Sequence, residues 1–311
     1  MASSELPHQN AAPGDVSKLA LEERPRTIWG DAWLRLKRNR TFLICGVILL
    51  LYIIAAVFAP WVARYDYAEA FRKDGLTANG SPVAPNAKFW FGTDAIGRDL
   101  YSRVIYGAQT ALVLGLCVAT LSVLIGVLYG SVAGMAGGGV DTFMMRIVDV
   151  LMSLPMFFII VFFTTIFDRS LWIIILVMAF LSWTGSARVI RSTVVSIKER
   201  DFILAERSMG ASGPYIFLRH VLPQLLPLMI IMIGLGIPGA IFLESGLSYL
   251  NMGVKPPTPS WGNMIGIGTG SFRNQWWLLV FPGGALVGLV VILNLIADSL
   301  RQALDPRLKG R

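Results

Sequence analysis

Glu244 is the residue in this sequence whose surroundings alone demand chemistry. It lies deep in a long uncharged run with no nearby partner expected in sequence. An ionisable group placed among apolar residues must face a bundle interior or an aqueous cavity, where it can meet a solute or hold a coupling proton. Arg146 and Asp149 stand three apart, which on a helix puts them on one face and lets them pair, either along a solute path or as an anchor near lipid headgroups. His220 opens a further apolar run, a position for a polar cap or a proton relay. Cys45 and Cys117 fall inside apolar runs, where a thiol behaves as a small hydrophobe, so no disulfide, metal site or redox role is expected.

The stretch Val189 to Pro223 (VIRSTVVSIKERDFILAERSMGASGPYIFLRHVLP) differs from the rest in being long and polar between two apolar runs. Its middle reads as a short helix that Asp201 caps, that runs through Met209 and that Gly210 stops, since glycine adopts the left-handed conformation at low cost. Gly213-Pro214 makes a second break, and Leu222-Pro223 opens the next apolar run. A short helix held crosswise between two rigid spans can pass force from a partner to a bundle. A merely solvated connecting loop is the other reading of the same residues.

Several chemistries are excluded. No Gly-Lys-Ser/Thr occurs, so the phosphate-cradling loop of an ATPase is missing and nucleotide hydrolysis must belong to another chain. There is no His-Glu-x-x-His and no Gly-x-Ser-x-Gly element. The net charge of +8 would suggest nucleic acid in a soluble protein, but here Lys and Arg gather on the flanks of apolar runs, as they do beside a membrane.

The elements that must position these residues follow from the runs themselves. The 311 residues are 55% hydrophobic and only 15% charged, with a mean hydropathy of +0.63. Uncharged runs long enough to match the hydrocarbon thickness of a bilayer predict membrane helices, because a helix satisfies its own backbone hydrogen bonds there. The expectation is an all-α polytopic membrane protein with six transmembrane helices. Residues 1–28, polar and without apolar period, are a disordered tail; 29–63 form an N-terminal amphipathic segment and the first span, too long for a cleaved signal peptide. Residues 64–106 form an extracytoplasmic loop. Residues 107–300 form a five-helix core, with spans near 107–131, 143–167, 170–188, 221–249 and 276–299 and a cytoplasmic loop at about 189–220. Residues 301–311 form a tail. Gly130, Gly134 and the run Gly137-Gly138-Gly139 are read as breaking the second span. The basic flanks place both termini in the cytoplasm.

The polar stretch resembles the coupling loop of ABC importer permeases, whose pattern is Glu-Ala-Ala, three residues, Gly, nine residues, then Ile-x-Leu-Pro. Ala205, Gly210, Leu222 and Pro223 stand at matching positions, while Leu204, Glu206 and His220 depart from it. Further blocks resemble the C-type permeases of the dipeptide, oligopeptide and nickel importers: Phe91 to Arg103 (FGTDAIGRDLYSR), Asp141 to Pro155 (DTFMMRIVDVLMSLP), Leu247 to Ile265 (LSYLNMGVKPPTPSWGNMI) and Asn294 to Leu308 (NLIADSLRQALDPRL). The resemblance implies the type I ABC importer permease (MetI-like) fold in a bacterial or archaeal cytoplasmic membrane. It also implies a paired permease, two cytoplasmic ATPases that carry ATP and Mg, and an extracytoplasmic substrate-binding protein. The chain itself would bind no cofactor and no nucleic acid, only its partners and membrane lipid. Asp201, Ala205, Glu206, Gly210, Leu222 and Pro223 would then form the ATPase-coupling loop, with Glu244, Arg146 and Asp149 on the pathway or in the bundle interior. Peptides are the solute class implied, with nickel complexes or glutathione as alternatives within the family. An ion-coupled secondary transporter using Glu244, or a membrane scaffold with no pathway, are the readings outside it.

Overall fold

The computed structural model describes residues 28–304, whose regular structure is helical, with isolated β-bridges in the irregular segments. The tails expected at 1–28 and 301–311 lie outside the described residues save for their inner ends. Helix α1 (Ile28–Arg38) is separated from α2 (Arg40–Val57) only by Asn39, whose side chain caps α2 by accepting from the Phe42 amide at 3.2 Å. A short turn of helix, α3 (Ala59–Val62), and an irregular segment lead to α4 (Leu100–Ala136), whose cap is Asp99. Gly137, at φ +69°, ends α4, and α5 (Gly138–Ser153) begins at once. α5 and α6 (Met156–Ile166) are bent by 79° relative to each other, where Leu154 and Pro155 interrupt the helix.

α7 (Leu171–Lys198), α8 (Asp201–Ser208), α9 (Gly213–Ile216) and a π-helical turn over Phe217–Val221 follow, the last running directly into α10 (Leu222–Tyr249). α11 (Trp261–Thr269) is short, and α12 (Trp277–Leu304) is the final long helix. The helices α2, α4, α7 and α12 and the run Gly213–Tyr249 are long and apolar enough to cross a membrane; the bent pair α5 and α6 adds a sixth span if counted as one. Large apolar side chains such as Leu51, Leu128, Phe158 and Phe242 point outward, a surface that suits hydrocarbon and not water.

The second span is longer than its glycines suggest. Gly130 and Gly134 do not break α4; together with Gly126 they let it approach α7. A Cβ at Gly126 would lie 2.5 Å from the Ser186 Cβ, and one at Gly130 would lie 2.4 Å from the Ala187 carbonyl oxygen. Small residues at every fourth position give this close approach within a bilayer, where packing holds helices together. Leu114, Ile174, Met178 and Leu247 then pack α4, α7 and α10 into one cluster, and Leu100, Ile241, Trp261 and Leu289 join α4 and α10 to α11 and α12.

The two ends of the bundle differ. Residues 58–99 and 250–276 cover one end, the capped end. The other, the basic end, carries α8 and α1, whose Ala32 and Leu36 pack on Ala303 and Leu304.

Candidate functional site

At the basic end, α7 runs on to Lys198 and is joined to α8 through Glu199 and Arg200. Arg200 is the N-cap residue, so Asp201 is not the cap expected from sequence; it is the first helical residue, where its charge still complements the helix N-terminus. Gly210 has φ +90°. Its amide donates to the Arg207 carbonyl at 2.9 Å and the Ala211 amide to the Glu206 carbonyl at 3.1 Å, the paired bonds of a Schellman stop. No atom lies within 4 Å of where a Gly210 Cβ would stand, so the position needs glycine for its backbone and not for space.

α8 hangs by one buried side chain and one side-chain hydrogen bond, with a histidine beside its one inward carboxylate. Ile203, at 0% exposure, enters the cluster formed by Val194, Ile197, Ile216, Val221 and Leu225 of the flanking elements. Arg200 donates to the Gln224 side chain at 2.9 Å, and the His220 Nε2 lies 3.3 Å from a Glu206 carboxylate oxygen. Leu222 and Pro223 form the first turn of α10, where the missing proline N–H costs little. Ala205 is exposed, as are Phe202, Leu204 and, at 77%, Met209. α8 therefore presents the apolar side chains of Phe202 and Leu204 outward while being fixed to two long helices.

Glu244 lies in the interior, at 3% exposure. One carboxylate oxygen accepts from the Ser248 hydroxyl at 2.6 Å and the Ser260 hydroxyl at 3.0 Å. Ser260 is the N-cap residue of α11, so Glu244 ties α10 to the start of that short helix. Ser248 sits one turn along the same helix, so Glu244 does have a partner close in sequence, contrary to expectation, while Ser260 is brought in by the fold. Arg146 and Asp149 do not pair with each other. Asp149 instead accepts from Arg188 of α7 at 2.6 Å, because α5 lies against α7, and both partners are about half exposed at 49% and 51%.

A second polar centre, in the capped end, went unrecognised as a site in the sequence although it occupies the Phe91 to Arg103 block. Asp94 accepts from the Arg98 Nε at 2.7 Å and lies 3.5 Å from the Arg103 Nε. Arg103, 1% exposed, also donates to the Tyr67 and Pro257 carbonyls at 3.1 and 3.4 Å. Asp99 accepts from the Ser102 hydroxyl at 2.6 Å, and burial pushes its carboxyl above the usual carboxylate range. The Trp277 indole donates to the Thr93 carbonyl at 3.3 Å, and Phe91 stacks on Phe281 at 3.9 Å. The acid and base spacing in this block was the available signal.

Two family descriptions match the sequence: "binding-protein-dependent transport system inner membrane component" over residues 126–310, and "N-terminal TM domain of oligopeptide transport permease C" over residues 27–82. The oligopeptide transport system permease protein OppC of Bacillus subtilis is 34% identical over 299 residues, covering 96% of this chain and 95% of the relative. The dipeptide transport system permease protein DppC of the same organism is 36% identical over 280 residues, covering 90% and 86%. The oligopeptide permease OppC of Haemophilus influenzae is 35% identical over 292 residues, covering 94% and 92%.

Proposed function

Because the chain belongs to the binding-protein-dependent transport system inner membrane components, we propose that it is one permease half of an ABC importer that carries dipeptides or oligopeptides into the cell. A second permease pairs with it, an extracytoplasmic binding protein delivers the peptide at the capped end, and two ATPases, holding ATP and Mg, grip the basic end. This chain binds no cofactor of its own. The basic end is cytoplasmic, with both termini, and the capped end faces outward.

The observation that carries the reading is α8, a helix stopped by Gly210 and fixed to both α7 and α10. Movement of a partner that grips Phe202, Leu204 and Met209 reaches two long helices at once. Alternating access needs such a mechanical link between hydrolysis outside the membrane and rearrangement within it.

The ion-coupled reading draws no support from Glu244, whose carboxylate is buried against the Ser248 and Ser260 hydroxyls. The test is uptake of a labelled dipeptide and a labelled pentapeptide in cells that express this chain with its partner subunits. Uptake should persist when the proton gradient is collapsed and ATP is kept, and stop when ATP is exhausted. The reverse pattern would establish ion coupling and defeat the proposal.

A further inference from the structure

A cavity of about 240 Å³ opens between α4, α6, α7 and α10. Ser182 of α7 and Gly239 of α10, which both line it, lie 11 and 10 residues from the ends of their helices at Leu171 and Tyr249. Those ends share a side of the bundle, since Lys255, just beyond α10, donates its amide to the Arg169 carbonyl at 3.0 Å, just before α7. At about 1.5 Å of rise per residue the cavity sits roughly 15 Å in, the middle of a hydrocarbon core about 30 Å thick.

Its chemistry is particular for that depth. None of the lining residues is charged. Met156, Met178 and Met232 supply thioethers, which repack around side chains of different shape. Ser122 donates within the protein, to the Ala179 carbonyl at 3.4 Å, but the Ser182 and Ser186 hydroxyls have no hydrogen-bond partner among the described residues. A serine in a membrane helix ordinarily bonds back to its own helix. Hydroxyls left free beside a cavity offer a donor and acceptor to whatever occupies it.

A lipid tail would leave those hydroxyls unmatched, and a charged solute would find no countercharge. An extended peptide supplies amides for the hydroxyls and varied side chains for the thioethers. The volume is below the roughly 300–1,000 Å³ of pockets that enclose a drug-sized ligand, so only part of a peptide fits at a time.

We infer that this mid-membrane cavity is the chain's share of the solute path, where an uncharged, amide-bearing stretch of the peptide is held by Ser182 and Ser186 and accommodated by the methionines. This rests on the peptide reading above. It makes passage at this level insensitive to side-chain identity, with Gly239 keeping the path open. A Cβ at Gly239 would meet nothing within 4 Å, so a larger residue there fills the cavity without disturbing the helix packing.

The complete importer, reconstituted in vesicles with its binding protein, provides the test. Gly239→Leu should assemble in wild-type yield yet take up a labelled alanine tripeptide about tenfold more slowly, because the added side chain stands in the space the peptide must cross. Gly246→Leu on the same helix also meets open space and lies outside the cavity, and should transport as wild type does. Wild-type uptake by Gly239→Leu overturns the inference. A second measurement needs no transport: Ser182→Cys, in a chain carrying Cys45→Ser and Cys117→Ser, is treated in the same complex with a water-soluble methanethiosulfonate. The rate should differ between the resting and vanadate-trapped states. Failure to react in both states means that lipid or packed protein fills the space, and equal reaction in both means the space does not alternate; either overturns the inference. If the wild-type importer moves no peptide while Ser182→Cys reacts in a state-dependent way, the peptide reading fails and the cavity stands as a path for another uncharged solute.

Discussion

The indole nitrogen of Trp261 donates to the Val104 carbonyl at 3.0 Å, and a Cβ on Gly107 would lie 2.6 Å from that same nitrogen. Trp261 is 2% exposed and opens α11, so this contact is what seats the short helix against α4. Removing the ring should destabilise the protein by about 3–5 kcal/mol, as large-to-small core changes do. Thermal unfolding in detergent should therefore show a clear fall in midpoint for Trp261→Ala, and for Gly107→Val because the indole has no room to yield. An unchanged midpoint in Trp261→Ala would mean that α11 is held elsewhere.

The Asp94, Arg98 and Arg103 cluster predicts an asymmetric response. All are 8% exposed or less, so removing the acid leaves two guanidinium groups buried without their countercharge. Breaking a buried pair in this way costs about 3–5 kcal/mol. Asp94→Ala should accumulate poorly in the membrane and unfold at lower temperature. Arg98→Met should be milder, since Asp94 keeps Arg103 nearby. Equal effects of the two changes would show that the charges do not act as a cluster.

Asp99 predicts a pH dependence whose direction is fixed by its environment. Burial raises its carboxyl pKa against the lowering pull of the Ser102 hydrogen bonds. A group that binds its proton more tightly when folded contributes stability that is fully present below the unfolded value of about 3.9, and that is lost as pH rises through the folded value. The advantage of wild type over Asp99→Asn in thermal midpoint should accordingly shrink as pH is raised from about 4. A constant difference across that range would count against a raised pKa.

The sequence exposed the long helices more readily than the contacts between them. Uncharged runs mark a helix in lipid without reference to any partner, so α2, α10 and α12 could be placed from residue type alone, whereas α7 continues past its expected end at 188 to Lys198, taking in the first ten residues expected to be loop. Gly130 and Gly134, expected to break the helix, do not, because glycine weakens a helix locally while its gain here, close approach to α7, is a property of the pair; only Gly137 ends the helix as expected. Likewise Asp149 met Arg188 and not Arg146: helical spacing permits the nearer pair, but the packing of α5 on α7 decides. The short helix α11 carried no signal, having only nine residues, of which Gly262, Gly266 and Gly268 suggest a loop. Its partners, Glu244 and Val104, are respectively on α10 and α4, distant in sequence and adjacent only once the bundle forms.

Gly210 offers the sharpest test of coupling, because its requirement is conformational and not spatial. Its φ of +90° lies in the region that L side chains rarely adopt, yet a Cβ there would touch nothing within 4 Å. A substitution is therefore strained by its own backbone and not by a neighbour, at about 1–2 kcal/mol for an ordinary residue. The strain falls on the bonds from Gly210 to Arg207 and from Ala211 to Glu206, and relieving it lets α8 extend or tilt away from the position that Ile203 and Arg200 set. The membrane helices, held by their own packing, should not respond to so small a cost. Gly210→Val should thus insert and accumulate normally while losing most uptake, and a cross-link between Glu206→Cys and a neighbouring ATPase should weaken in parallel. Asparagine tolerates positive φ better than β-branched residues, so Gly210→Asn should retain more uptake than Gly210→Ala, and Gly210→Ala more than Gly210→Val. That ranking separates backbone strain from surface contact: a docking patch that merely disliked bulk would rank alanine above asparagine. Normal uptake with an undiminished cross-link in Gly210→Val would show that α8 is ordinary connecting loop and would remove the mechanical basis for ATP-driven transport by this chain.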